Sequence, residues 1–393
     1  VVTGIRYLAH WPGSGLGDAA AAYLSGLRAQ PVPVSWVPLD WGTGTWGPPR
    51  HQLAPWPGPS PRPYQHSDIC NIGLGYDVTL VHSLMLWHDS WQPPGRHVAY
   101  ATYEADRLPD RSVATLNKYD TVLVPSRQNL EVFRDSGVVV PVRLVPHIAR
   151  PPRPGPAAGA PDRPGETFVF YSIATWTCRK AVPDVIRAFL DAFTAADDVA
   201  LVLKTTEEDH VALRRLQEGR DPEPGPYSGT SWWSLARLMA KYPDPPPVRL
   251  LTRALPRAEI DALHACGDCF VSLARGEGWG LGAFEAGAAG NPVVVPGWGG
   301  HLDYLPAGYP YCAGYRLVPT AAEELDDWWE LLDDQRWAKA DVAHASSLLR
   351  HVFENRGEAR HWGHRLRQQI MTNYTAEQVV PQLLTALSPP AAA

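Results

Sequence analysis

Two carboxylates with seven residues between them, Glu277 and Glu285, stand in a glycine-rich run reading Val271-Ser-Leu-Ala-Arg-Gly-Glu-Gly-Trp-Gly-Leu-Gly-Ala-Phe-Glu-Ala. Carboxylates accept hydrogen bonds from hydroxyls, as a sugar or a ribose offers, and they repel phosphates. The amides of Gly278, Trp279, Gly280 and Leu281, at the expected start of a helix, can take phosphates instead, together with Gly299 and Gly300. Breaking a sugar–diphosphate bond leaves negative charge on the departing phosphate, which a cation stabilises as it develops. Lys180 and Arg179 suit that task, and Lys204, ending the strand-like Ala-Leu-Val-Leu-Lys, is a third cation. Each residue also has a plainer reading: Glu285 as a helix-start charge, and Glu277, Arg179 and Lys204 as solvated surface groups.

A second glycine loop, Gly13-Ser-Gly-Leu-Gly-Asp18, follows the first strand-like run. Gly15 and Gly17 would let a ligand approach the backbone closely, while Asp18 can equally cap the helix. The spacing is GxGxG, and no convincing acid ends the next strand to hold a ribose, so a nicotinamide cofactor is the lesser reading. Glu104, in the loop after His97–Tyr100, can orient an acceptor or act as a base, or simply cap or pair. His82, ending Val-Thr-Leu-Val-His, is either a reacting-site group or a core histidine, and His147 reads as structural or hinge-lining. Sugars pack apolar C–H faces on aromatic rings, so Trp41, Trp46, Trp87 and Trp91 are candidates for an acceptor groove. Trp328, Trp329 and Trp337 read as core. Cys266 and Cys269 form a CxxC without the second pair that zinc wants, so no metal site is read. Five cysteines in a long chain argue against a disulfide framework.

The elements that must position these groups alternate. A chain of 393 residues is too long for one ordinary core, and 45% hydrophobic content predicts a folded protein. The net charge of −6 excludes a general affinity for nucleic acid. No apolar run is long enough to cross a bilayer, which leaves peripheral membrane contact open. Strands are expected at 4–9, 32–37, 78–81, 97–100, 121–124 and 142–145, with helices at 19–27, 109–118 and 128–135. Residues 40–67 read as a long tryptophan-rich loop, and the Pro- and Gly-rich stretch at 151–165 as a linker. A second alternation follows, with strands at 168–173, 199–204, 248–251, 269–273 and 292–295. Helices are expected at 181–195, 210–218, 232–241, 260–265, 282–290, 321–333, 335–354, 357–373 and 376–387. This order predicts an α/β protein of two doubly wound, Rossmann-like domains facing a cleft.

Glu-Gly-Trp-Gly-Leu-Gly-Ala-Phe-Glu, followed by Asn-Pro-Val-Val-Val-Pro-Gly-Trp-Gly-Gly-His-Leu-Asp-Tyr-Leu, resembles the EX7E region of retaining GT-B glycosyltransferases of the broad family 4 type. The resemblance covers most of the chain, through Asp120–Val138, Val142–His147, Phe168–Phe193 and the C-terminal Asn373–Leu387. It implies an acceptor-binding domain at 1–150, a nucleotide-sugar domain at 166–375, and a final helix and tail at 376–393 that cross back to the first domain. It implies that Glu277 holds donor-sugar hydroxyls, Glu285 the nucleotide ribose, and Lys180 the diphosphate. Relatives usually carry an arginine a few residues before that lysine, where this chain has Ala174, Thr175 and Trp176; the nearest arginine is Arg179. The implied activity is retaining transfer of a sugar from a UDP-, GDP- or dTDP-linked donor to a hydroxyl of a glycan or natural product. No further cofactor is required, the location is cytoplasmic, and the oligomeric state is not specified. The rivals are a non-catalytic nucleotide-sugar or carbohydrate binder of the same fold and an NAD-dependent oxidoreductase.

Overall fold

The computed structural model describes residues 2–10, 12–39, 75–85, 88, 95–150, 167–221, 224–320 and 334–389. The loop at 40–67, Trp87, Trp91, the linker at 151–165 and the helix expected at 321–333 with Trp328 and Trp329 lie outside these residues. The chain divides into two compact units: Val1–Tyr103, Arg107–Arg150 and Thr372–Ala393 make the first, and Glu104–Asp106 with Pro151–Met371 the second.

The first unit runs β1 (Ile5–His10), α1 (Gly15–Leu27), β2 (Val34–Leu39), β3 (Val78–His82), β4 (Arg96–Tyr100), α2 (Asp110–Leu116), β5 (Thr121–Val124), α3 (Arg127–Asp135) and β6 (Val142–Leu144). These strands form one sheet in the order β2-β1-β3-β4-β5-β6, every pairing parallel. Every residue of β3 is buried, the pattern of a central strand covered on both faces. Helix α1 begins at Gly15, earlier than the expected Ala19, because the Ser14 hydroxyl accepts the Gly17 amide and caps the turn.

The second unit runs β7 (Phe168–Ile173), α4 (Val182–Ala192), β8 (Val199–Lys204), α5 (His210–Gln217), α6 (Ser231–Met239), β9 (Val248–Leu251), α7 (Arg257–Cys266), β10 (Cys269–Val271), α8 (Leu281–Ala289), β11 (Val293–Pro296) and β12 (Cys312–Ala313). It continues with β13 (Tyr315–Pro319), β14 (Arg336–Ala340), α9 (Val342–Glu354) and α10 (Arg356–Asn373). Its main sheet has the order β12-β11-β10-β7-β8-β9, all parallel. Strand order therefore reverses between β7 and β10, and at such a switch point the loops leaving two adjacent strands part to opposite faces and open a crevice. Phe170, Val185, Phe189, Leu201, Val271 and Leu349 are central to the core.

The helix expected to start at Gln335 is corrected: Arg336–Ala340 is a strand, antiparallel to Tyr315–Pro319. Trp337 is wholly buried there, and the Ala338 amide bonds the Arg275 carbonyl. Tertiary pairing overrides the helix-forming composition, and the helix starts after Asp341, whose side chain caps the His344 amide. The last helix, α11 (Ala376–Leu387), belongs to the first unit, where Val379, Val380, Leu383 and Leu387 join Leu24, Leu27 and Val145 in the core.

Candidate functional site

The loops after β7 and β10, which meet at the switch point, carry Arg179, Lys180 and Glu277. Lys180 precedes Ala181, which caps α4 in the left-handed region at φ 48°. A residue bearing a Cβ is strained by roughly 1–2 kcal/mol there, so the surrounding packing holds the Lys180 turn in place. The Lys180 ammonium lies 2.5 Å from Glu277 Oε1. Arg179 Nη1 donates to the Gly276 carbonyl at 2.7 Å and lies 3.7 Å from Glu277 Oε2, while its Nη2 is 3.8 Å from Glu104 Oε1. Burial alone would push the Glu277 carboxyl up, but the Lys180 ammonium and the Arg179 guanidinium outweigh it and hold the group below the usual carboxylate range. Burial pushes Lys180 down, and Glu277 offsets part of that.

Arg275, which sequence reasoning passed over, ties the two loops together. Its amide bonds the Arg179 carbonyl at 2.7 Å, and its Nε bonds the Cys178 carbonyl at 3.1 Å. Its guanidinium lies 3.6 Å from Asp184 and over the Trp337 ring. Gly276 is pressed so close to the Glu104 backbone that any Cβ would overlap the Glu104 carbonyl oxygen.

The rest of the turn is fixed from its carbonyl side. The Gly300 amide donates to the Glu277 carbonyl at 2.7 Å, and the Tyr304 hydroxyl donates to the Gly280 carbonyl at 3.0 Å. Gly280 caps α8 at φ 80°, a conformation that favours glycine. The first amides of a helix have no intrahelical acceptor, so those of Leu281 and Gly282 are placed to receive an anion. Trp279, expected at the turn for its backbone amide, buries its ring against Phe284 and Tyr304, both with centroids at 5.2 Å.

Glu285 sits one turn further along α8, and Arg257, at the start of α7, bonds its Oε1 through Nη1 at 2.5 Å. Arg257 Nε donates to Asp261 at 2.7 Å, and His264 Nε2 lies 3.7 Å from Glu285 Oε2. Neither Arg257 nor His264 stood out as a Glu285 partner in the sequence, because nothing in α7 has a motif's spacing. Lys204, half-buried at the end of β8, donates to the Thr205 carbonyl at 2.8 Å, and burial and nearby Arg253 push its ammonium down.

The candidates of the first unit are placed as follows. Gly15 is exposed at the first turn of α1, and the buried Gly17 has its amide taken by Ser14. His82 is wholly buried, with Nδ1 2.7 Å from the Tyr7 hydroxyl and its ring 4.3 Å from that of Tyr100. Burial, reinforced by His147, His10 and His88, drives its pKa well down, so it is a neutral core histidine rather than a solvent-facing base. His147 closes the same cluster, 3.2 Å from the Tyr100 hydroxyl. Glu104 belongs to the second unit, beside Arg179. Among the described residues no cluster of three His, Cys, Asp or Glu side chains could hold a metal, and no helix is long and apolar enough to cross a membrane.

No protein-family model matches the chain, and no curated protein matches its sequence. Solved structures do resemble it. Anabaena HepE, determined with UDP and glucose, aligns at TM-score 0.60 and 12% identity over 98% of this chain and 99% of its own. Sucrose-phosphate synthase from Thermosynechococcus elongatus aligns at 0.63 and 15%, over 98% of each chain. A UDP-forming α,α-trehalose-phosphate synthase from Burkholderia xenovorans aligns at 0.61 and 12%, over 100% of each. At these identities the likeness is one of fold. The chain has the GT-B fold: two parallel-sheet, Rossmann-like α/β domains.

Proposed function

We propose that this protein is a retaining glycosyltransferase of the EX7E, family 4 type, moving a sugar from a nucleoside diphosphate donor to a hydroxyl of a glycan or natural product. The observation that carries the reading is the Lys180–Glu277 pair, 2.5 Å apart at the β7/β10 switch point and beside the amide-bearing start of α8. In this reading the donor's diphosphate takes the Lys180 ammonium and the α8 amides. Glu277, relieved of part of its ion pair, accepts hydrogen bonds from the sugar hydroxyls, and Glu285 accepts them from the ribose. The bond from the anomeric carbon to the phosphate oxygen breaks, and the acceptor oxygen bonds that carbon on the same face. The acceptor's proton goes to the departing phosphate, so a nucleoside diphosphate leaves. Charge developing on that phosphate is met by Lys180 in a largely water-excluded site, where such stabilisation is strongest. Arg179 acts differently from a free phosphate ligand: it braces the Gly276 carbonyl and both neighbouring carboxylates.

Support also comes from a structural neighbour, Anabaena HepE, which has been determined with UDP and glucose and with UDP-glucose. A thermal-shift panel of UDP-, GDP- and dTDP-sugars tests the reading. At a ligand concentration a hundred times Kd, binding stabilises the folded state by about 2.7 kcal/mol, and one nucleotide class is expected to do so. No shift with any donor counts against the whole reading. Transfer is then followed by intact mass on candidate acceptors, and product NMR is expected to show the donor's anomeric configuration kept.

A further inference from the structure

We infer that His301 is a specificity-determining residue for the donor sugar: its Nδ1 accepts a hydrogen bond from a sugar hydroxyl beside Glu277. The inference rests on the glycosyltransferase reading given above and adds to it a sugar-reading group outside the glycine turn.

The ring is brought to the site by the short turn Gly300–Asp303 that follows β11. The Gly300 amide ties that turn to the Glu277 carbonyl at 2.7 Å. His301 and Glu277 flank Gly280: a Cβ built on that glycine would lie 3.4 Å from the His301 Cβ and 3.7 Å from the Glu277 Cβ. The two nitrogens of the ring differ. Nε2 lies 2.7 Å from the Pro296 carbonyl oxygen, which can only accept, so Nε2 carries the proton. Burial lowers the imidazole pKa by more than the Pro296 carbonyl and the Glu277 carboxylate raise it, so the ring is neutral near pH 7 and Nδ1 keeps its lone pair. Nδ1 has no hydrogen-bond partner among the described residues, in a side chain only 2% exposed. Gly299, at φ 136°, leaves that edge uncovered: a Cβ there would sit 2.7 Å from Cε1 and 2.9 Å from Nδ1. A buried acceptor without a donor costs stability, and a ligand that supplies the donor recovers it. A lone pair takes a hydroxyl and repels a phosphate oxygen, so the partner is the sugar rather than the diphosphate. Nδ1 and the Glu277 carboxylate then form two acceptors at one turn, a pattern that suits neighbouring hydroxyls of one sugar ring.

Two amide variants separate this role from a structural one. In H301Q the side-chain amide reaches the Nε2 position and still donates to Pro296, but no acceptor is left at Nδ1. In H301N the amide oxygen stands near Nδ1 and the bond to Pro296 is lost. Calorimetry on the full chain compares UDP, GDP and dTDP with UDP-glucose, GDP-mannose and dTDP-glucose, and the pair that the native protein binds is carried through both variants. H301Q is expected to bind the sugar donor about tenfold more weakly, the loss of one hydrogen bond, and the bare diphosphate within about twofold of native. H301N is expected to hold the sugar donor within about threefold. Among monodeoxy forms of that donor, the native protein loses about tenfold at one hydroxyl, and H301Q loses no more than about twofold further there. The reverse order, with H301N impaired and H301Q native-like, assigns the ring to holding the loop and overturns the inference. Equal weakening of donor and diphosphate in H301Q also overturns it. Sugar affinity retained in H301Q but lost in E277Q overturns the role of His301 and leaves the glycosyltransferase reading standing. A native protein that binds no diphosphate and no donor overturns that reading and the inference with it. If H301Q does not fold, nitrogen-15 resonances of histidine-labelled native protein decide: the Nδ1 signal absent from H301N moves on adding the sugar donor and not on adding the diphosphate, and an unmoved signal overturns the inference.

Discussion

At the scale of single residues, the proposed chemistry turns on an ion pair whose members would each have a second task. Lys180 and Glu277 neutralise each other in the unliganded protein, so their solvation is sacrificed before any donor arrives. On the proposed function, a bound pyrophosphate replaces one carboxylate by a more highly charged partner for Lys180. Lys180→Met is therefore expected to lower kcat by about 10²–10³, the usual loss when a group stabilising transition-state charge is removed. Glu277→Gln is expected to weaken donor-sugar binding and activity together, and steady-state kinetics with purified variants checks both. The double variant should lose less than the product of the single losses, because the two groups act on one another; full additivity would deny the coupling. Ala181 offers a test of the backbone beneath them. Ala181→Gly removes the left-handed strain at φ 48° and is expected to raise stability by about 1 kcal/mol, read as a higher melting temperature with the fold unchanged.

At the scale of elements, the site consists of loop ends held by backbone contacts. Arg275 and Arg179 join the loop after β7 to the turn before α8, and Gly276 lets that turn lie against the Glu104 backbone. Gly276→Ala is expected to displace the turn and cost about 1–3 kcal/mol, the range for overpacking a tight site; a calorimetric unfolding scan and loss of donor binding would register it. Much of this layer could be read from the chain alone. The all-apolar strands, the glycine turn and the helix after it have local signals, which is why β7, β10 and α8 stand within a few residues of their expected places. What could not be read depends on contacts distant in sequence. Arg336–Ala340 carries a helix-like composition and becomes a strand only because Tyr315–Pro319 pairs with it. Arg257 reaches Glu285 across 28 residues with no spacing rule to announce it. The burial of the Trp279 ring against Phe284 and Tyr304 was equally invisible in the chain, since Tyr304 lies 25 residues on.

At the scale of the whole molecule, the two units carry different acid sensitivities. The first unit buries His10 and His88, with pKa values pushed down to about 4 by desolvation, and His147, pushed down to about 3. A histidine whose folded pKa is depressed takes up its proton more readily when unfolded. Its stabilising share is complete above the unfolded value near 6.5 and is lost as pH falls from there toward about 4, by roughly 1.4 kcal/mol per pH unit for each histidine. Among the described residues of the second unit burial pushes down one such histidine, His301, against four with His82 in the first. Glu277 in the second unit, held below its usual range, begins to lose its share only below about 4.3. Calorimetric unfolding between pH 7.5 and 4.5 is expected to show one transition sliding down steeply; transitions that move together, or not at all, would count against this division. The placement of α11 has a further consequence for biosynthesis. Val379, Val380, Leu383 and Leu387 close the core of the unit whose strands are made first, yet they leave the ribosome after the whole second unit. The nascent first sheet must wait with an apolar flank uncovered, so maturation runs against the direction of translation. A chain arrested before Ala376 should carry a protease-resistant second unit joined to a first that proteases still digest.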